Sequence, residues 1–109
     1  DEDHYSSAHD LLILTQSLWS YSFFQETVSA KKIVIKSLTQ ADRSFANTNK
    51  FLGDEVKGIK TGTTANAGQC LLLYIERDQK KIFTVVLGSK NRYQDSNTFI
   101  EAIWRNISF

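Results

Sequence analysis

The chain has 109 residues, of which 41% are hydrophobic and 23% charged, so it forms at most one globular domain and is not a disordered chain. Thirteen basic residues stand against twelve acidic ones, a net charge of +1. Basic residues form no cluster longer than the pairs Lys31-Lys32 and Lys80-Lys81, whereas nucleic-acid binders present a concentrated basic face. We therefore expect no nucleic-acid partner.

The cysteine and histidine content argues against a fold that is held together by disulfides or by a bound metal. Cys70 is the only cysteine, which excludes an internal disulfide and a Cys/His zinc finger. His4 and His9 are five residues apart, a spacing that on a helix would put them on different faces, so we expect no metal and no cofactor. No apolar run approaches the roughly 20 residues that cross a bilayer. The acidic start and the lack of methionine suggest that upstream sequence is missing.

The first half of the chain predicts one helix and one strand. Apolar residues at helical spacing follow Ser6 and Ser7 and predict an amphipathic helix over residues 7–20. Aromatic residues within 21–28 are expected to pack the helix end against the core. A β-branched run predicts a short strand over 32–36. The polar residues 39–54 are expected to form a loop with one helical turn.

The second half predicts a hairpin followed by a helix. Residues 69–76 are apolar on both faces, as in a central strand covered on two sides. With the apolar run 82–87 they predict an antiparallel hairpin, and a final helix is capped by Asp95 or Ser96. Its apolar face consists of Phe99, Ile100, Ile103, Trp104 and Ile107. The predicted fold class is α+β, an antiparallel sheet with flanking helices.

The tripeptide Lys60-Thr61-Gly62 places a cation, a hydroxyl and a position without a side chain on one strand. Glycine lets a ligand backbone approach closely. An exposed edge strand pairs with an extended peptide through main-chain hydrogen bonds, while an ammonium and a hydroxyl hold a carboxylate. The tripeptide therefore suits capture of a peptide that ends in a carboxylate.

The residues around this tripeptide extend the pattern over nearly the whole chain. The blocks are His-Tyr-Ser-Ser-Ala-His-Asp-Leu at 4–11, Asn-Thr-Asn-Lys-Phe-Leu-Gly at 47–53, Gly-Ile-Lys-Thr-Gly-Thr-Thr at 58–64, Ala-Gly-Gln-Cys-Leu at 67–71 and Val-Val-Leu-Gly at 85–88. In this order they resemble the serine-type D-Ala-D-Ala carboxypeptidases, which are low-molecular-weight penicillin-binding proteins. The resemblance implies part of a β-lactamase/transpeptidase-like fold. It also implies removal of the terminal D-Ala from peptidoglycan stem peptides through an acyl-enzyme.

The resemblance also implies roles for individual residues. Lys60 would assist proton transfer and attract the substrate carboxylate, Thr61 would contact that carboxylate, and Gly62 would lie against the substrate. Thr63 would donate its backbone N–H to the oxyanion hole. Arg92 would pair with the terminal carboxylate, although an arginine before a helix is also an ordinary surface residue. The implied ligands are a stem peptide or a β-lactam, outside the cytoplasmic membrane of a bacterium.

Two further motifs of this family lack a counterpart in the right place. Its nucleophile belongs to a Ser-x-x-Lys motif and is followed by a Ser-x-Asn motif, both before the Lys-Thr-Gly strand. Residues 29–32 fit Ser-x-x-Lys but run into the predicted strand, where the chemistry needs a helix start. Residues 89–91 fit Ser-x-Asn but come after Lys60. We therefore expect residues 1–109 to be an incomplete, C-terminal portion of the catalytic domain, inactive by itself.

Such a portion is expected to expose apolar sheet surface, which would bind the missing N-terminal half or a second copy. Two other interpretations remain open at this point. The chain is a non-catalytic module of the same fold that binds a peptidoglycan peptide or a protein. Alternatively, it is a fragment related to the class A β-lactamases or glutaminases, which carry a similar strand motif.

Overall fold

The computed structural model describes residues 4–106. Its elements in chain order are α1 (Ala8–Leu18), α2 (Ser22–Ser29), β1 (Lys32–Ile35), β2 (Arg43–Ala46), β3 (Val56–Thr64), β4 (Gly68–Arg77), β5 (Lys80–Ser89) and α3 (Arg92–Asn106). Strands β1 and β2 form an antiparallel ribbon, and β3, β4 and β5 form an antiparallel sheet in that order. The predicted α+β class with an antiparallel sheet and flanking helices is confirmed.

Strand β4 is the middle strand and is buried on both faces, as predicted. Successive side chains of a strand point to opposite faces. One set packs with Ile100 of α3 and consists of Leu71, Leu73 and Ile75. The other set consists of Leu72 and Tyr74. These two side chains pack against Leu11 of α1, Trp19 at the C-cap of α1, and Phe24 of α2. Helices therefore cover the sheet on both sides and fix the position of its edge strand, β3.

The hairpin between β4 and β5 is confirmed and closes through a two-residue turn. Asp78 and Gln79 have φ angles of 51° and 66°, and Arg77 pairs directly with Lys80. Positive φ at both central residues is typical of the type I′ turn, whose twist matches that of the flanking strands.

The ends of the helices agree only in part with the predictions. Ser7 caps α1, since its hydroxyl accepts a hydrogen bond from the backbone N–H of Asp10 at 3.1 Å. The predicted cap of α3 is wrong: the helix begins at Arg92, and the Asn91 side chain accepts from the Gln94 N–H at 3.1 Å. Asparagine is as strong a cap as serine or aspartate, so residue type alone did not select the position. Ile107 lies outside the described residues.

The stretch predicted as a loop with a helical turn contains β2 instead, so that prediction is wrong there. The register places Ile33 opposite Phe45. A single strand leaves its backbone donors and acceptors unpaired, and pairing with β1 satisfies them in a segment with little strand pattern of its own. The aromatic cluster after α1 also forms a second helix, α2, whose Phe24 and Val28 pack on the sheet.

Apolar side chains are exposed on the two-stranded ribbon, on α1 and α2, and at Leu87 of β5. The ribbon and its connecting loop expose Ile33, Val34, Ile35, Leu38 and Phe45 by 46–104%. Helices α1, α2 and α3 cover most of the three-stranded sheet. Within residues 4–106, no helix combines the length and the apolar character that a membrane span requires.

Candidate functional site

Strand β3 forms one edge of the sheet and carries the Lys60-Thr61-Gly62 tripeptide. Its neighbour β4 places Leu71 opposite Thr61 and Cys70 opposite Gly62. A Cβ atom added at Gly62 would meet nothing within 4 Å. The strand therefore has an open position at the point where the sequence predicts close approach of a ligand backbone.

A pair of hydroxyl groups lies on one side of this edge. The Oγ1 atoms of Thr48 and Thr61 are 2.6 Å apart, and Thr61 is buried. The side-chain amide of Asn47 fixes the segment that carries Thr48, because it donates to the carbonyl oxygens of Val28 and Ala30 at 3.2 and 3.0 Å. Two hydroxyls that share one hydrogen bond leave one O–H free, which can donate to an anion.

Arg92 lies at the same side of the strand. Its guanidinium donates to the hydroxyl of Thr63, and its backbone N–H donates to the Gln69 side-chain oxygen at 3.0 Å. The first turn of α3 is thereby tied to both β3 and β4. Thr61, Thr63 and Arg92, three of the residues singled out from the sequence, are brought together.

Tyr93 completes this arrangement and was not singled out from the sequence. Its hydroxyl donates to the Thr48 carbonyl oxygen and accepts from the Lys50 N–H, both at 3.0 Å. Its ring lies 4.7 Å from that of Phe51. Tyr93 therefore holds the Thr48 segment against β3, a role whose only sequence signal is its position beside Arg92.

These residues line a concave site of about 560 Å³, called here the polar hollow. Its lining consists of Thr48, Lys50, Thr61, Thr63, Gln69, Lys90, Asn91, Arg92 and Tyr93. The volume is within the range of small-ligand sites. The lining contains three cations, several hydroxyls and no carboxylate, so its chemistry favours an anionic ligand.

Lys60 and Gly62 line a different, adjacent site of about 1040 Å³, called here the apolar hollow. Leu11, Leu72 and Cys70 contribute to its lining, and Thr61 lines both hollows. The Lys60 ammonium donates to the carbonyl oxygen of Thr61. Successive residues of a strand alternate between its faces, so the lysine and the arginine lie on opposite sides of β3.

The serines of the two short motif matches are engaged in local hydrogen bonds. Ser29 is the last residue of α2, and its hydroxyl donates to the Gln25 carbonyl oxygen at 2.7 Å, while Lys32 already begins β1. Ser89 bonds to the Asp95 carboxylate. Within the described range 4–106, no group of three His, Cys, Asp or Glu side chains is arranged to hold a metal ion.

Comparison with known proteins assigns the family. A family profile described as D-alanyl-D-alanine carboxypeptidase, of the peptidase S11 group, matches residues 1–91. The D-alanyl-D-alanine carboxypeptidase DacF of Bacillus subtilis is 29% identical over 91 residues, which cover 82% of this chain and 23% of that protein. The corresponding figures for DacD of Salmonella typhimurium are 30% over 88 residues, 80% and 22%. The chain thus spans under a quarter of the length of these relatives.

Solved structures agree with this assignment. The Streptomyces K15 DD-transpeptidase superimposes with a TM-score of 0.82 at 27% identity, covering 93% of this chain and 42% of that one. Penicillin-binding protein D2 of Listeria monocytogenes, in its cefotaxime-bound form, gives a TM-score of 0.72 at 28% identity, covering 88% and 40%. From the profile match over residues 1–91, supported by these structures, the chain belongs to the serine-type D-alanyl-D-alanine carboxypeptidase family.

Proposed function

We propose that this chain forms the carboxylate-binding wall of a D-Ala-D-Ala carboxypeptidase site. One observation carries the proposal: the Thr48–Thr61 hydroxyl pair and the Arg92 guanidinium converge beside the open edge of β3. A peptide that extends β3 through main-chain hydrogen bonds brings its terminal carboxylate to these donors. Hydrogen bonds to an ionised carboxylate are about twice as strong as neutral ones.

Each residue of the wall has its own role in this proposal. Thr61 and Arg92 bind the terminal carboxylate, and Gly62 leaves room for the peptide backbone. Thr63 donates its main-chain N–H to the oxyanion that forms during acyl transfer. Lys60, across the strand, supplies positive potential and assists proton transfer from the apolar hollow. The same wall accepts a β-lactam, whose carboxylate replaces that of the peptide.

The reaction of the whole protein is proposed as a two-step acyl transfer. A serine oxygen attacks the carbonyl carbon between the last two D-Ala residues, the C–N bond breaks, and D-Ala leaves with the serine proton. Water then hydrolyses the ester. We place that serine and its lysine outside residues 1–109, which form the C-terminal portion of the catalytic domain and bind its N-terminal half through exposed apolar surface. The substrate class places the protein in the bacterial cell envelope, secreted or periplasmic, with a role in cell shape.

Covalent labelling with a fluorescent penicillin tests this proposal. The product of the whole reading frame is expected to become labelled, and residues 1–109 alone are expected to stay unlabelled. An unlabelled whole protein would contradict the carboxypeptidase assignment and favour the non-catalytic binding module. Labelling of the isolated chain would show that the nucleophile lies within it.

Peptide binding to the chain itself tests the wall. A peptide ending in D-Ala-D-Ala is expected to bind more tightly than its C-terminal amide, because only the free carboxylate pairs with Arg92. Arg92→Gln should reduce this difference, while Arg105→Gln, at the far end of α3, should preserve it. Equal binding of acid and amide by the unaltered chain would disprove the carboxylate site.

A further inference from the structure

The polar hollow carries more positive charge than one terminal carboxylate requires. Its lining includes Lys50 and Lys90 beside Arg92 and contains no aspartate or glutamate. Within residues 4–106, neither lysine ammonium has an ion-pair partner. Two positive charges beyond that of Arg92 therefore border the same concave surface.

The backbones that carry these two lysines are fixed by hydrogen bonds. The N–H of Lys50 donates to the Tyr93 hydroxyl at 3.0 Å. Lys90 lies between Ser89, which bonds to Asp95, and Asn91, whose N–H donates to the Ser89 hydroxyl at 2.9 Å. Both side chains are exposed, so their ammonium groups reach a ligand in the hollow without a backbone rearrangement.

We propose that Lys50 and Lys90 are specificity-determining residues, which select peptides with a second carboxylate near the terminal one. This inference rests on the proposed function, because it takes the first carboxylate to be bound by Thr61 and Arg92. Lys50 and Lys90 line the same hollow as Thr61 and Arg92. A carboxylate on the residue that precedes D-Ala-D-Ala is the anionic side chain nearest to the terminal carboxylate, and it is the group that the lysines attract.

A matched pair of peptides tests the selection by a single charge. Acetyl-Glu-D-Ala-D-Ala and acetyl-Gln-D-Ala-D-Ala differ only in a carboxylate and an amide. The chain is expected to bind the Glu peptide about three- to tenfold more tightly at low salt, since two exposed ion pairs contribute modestly. The preference should shrink as salt screens the charges. Titration calorimetry or NMR shift changes measure both affinities.

Variants distinguish the effect of Lys50 and Lys90 from the effect of the chain's net charge. The Lys50→Gln/Lys90→Gln chain should bind the two peptides with equal affinity. Lys81→Gln is the control, because Lys81 lies opposite Glu76 near the β4–β5 turn, at the other end of the sheet from Ser89. It should keep the preference for the Glu peptide.

The possible outcomes distinguish a failure of this inference from a failure of the proposed function. Equal affinities in the unaltered chain would overturn the selection and leave the proposed function standing. Loss of the preference in Lys81→Gln as well would attribute it to net charge and overturn the role of the two lysines. If neither peptide binds, the proposed carboxylate site fails, and this inference fails with it.

Discussion

The hydroxyl oxygens of Thr48 and Thr61 lie 2.6 Å apart although 13 residues separate them in the chain. Thr48 belongs to the segment between the ribbon and β3, and Thr61 to the edge strand. Their contact depends on Asn47, which ties this segment to the end of α2, and on Tyr93, which ties it to α3. The donor that we assign to the substrate carboxylate is therefore assembled from three parts of the fold.

The first prediction concerns this hydroxyl pair. Thr48→Val removes the hydroxyl at nearly constant volume, so one donor is lost from the polar hollow. Affinity for a peptide ending in D-Ala-D-Ala should fall about three- to tenfold, since a hydrogen bond to a charged group contributes about 1.5 kcal/mol or more and Thr61 partly compensates. Thr48→Ser should retain binding. Unchanged affinity in the valine variant, measured by calorimetric titration, would remove Thr48 from the site.

The second prediction concerns Tyr93, whose hydroxyl holds the segment that contains Thr48 and Lys50. Tyr93→Phe removes a hydrogen bond to the Thr48 carbonyl oxygen and another from the Lys50 N–H. The free energy of unfolding should fall by about 1–3 kcal/mol, because two backbone groups lose their partner. Urea denaturation measures this change. Tyr21→Phe is the control, since Tyr21 is 64% exposed and its substitution should have an effect below about 0.5 kcal/mol.

The third prediction compares two glycines of the same strand. A Cβ atom at Gly58 would lie 2.7 Å from Cγ2 of Val28, whereas at Gly62 it would meet nothing within 4 Å. Gly58→Ala should destabilise the chain by about 1–3 kcal/mol through overpacking, and Gly62→Ala should be neutral or slightly stabilising.

The double variant Val28→Ala/Gly58→Ala checks the physical cause of that difference. Removing the valine methyl groups makes room for the new Cβ, so the double variant should lose less stability than the sum of the two single changes. Additive losses in thermal unfolding would mean that α2 does not press against β3 at this point. Weaker peptide binding by Gly62→Ala, at unchanged stability, would support its assignment to the ligand-facing edge.

The fourth prediction concerns pH. Burial, together with the hydrogen bond to Glu76, raises the pKa of Tyr74 to about 12 from its ordinary value of 10.0. The folded state therefore holds the phenol proton between pH 10 and 12, while the unfolded state has lost it. Stability from this group is complete below pH 10 and declines as pH rises toward 12, by at most about 1.4 kcal/mol per pH unit. Denaturation curves at pH 9, 10 and 11 measure the slope, and Tyr74→Phe should remove this contribution.

The sequence by itself determined the central hairpin, the two outer helices and the family. Apolar residues on both faces of β4 require cover on both sides, whatever provides it. The sequence also placed Lys60, Thr61 and Gly62 on a strand, because a cation, a hydroxyl and a position without a side chain in succession suit binding of a peptide that ends in a carboxylate. It missed β2 because a four-residue strand arises from backbone pairing with β1, which leaves little local pattern.

Only the tertiary structure decided which side chains meet. Lys60 and Thr61 are neighbours in the chain, yet the alternation of a strand assigns the lysine to the apolar hollow and brings the hydroxyl to the polar one. Thr48, Tyr93 and Lys50 reach that hollow from segments that only packing brings together. From 109 residues of near-zero net charge, no local rule predicts a concave site with three cations and no acid. That asymmetry follows from how the sheet edge, the preceding segment and α3 fold against one another.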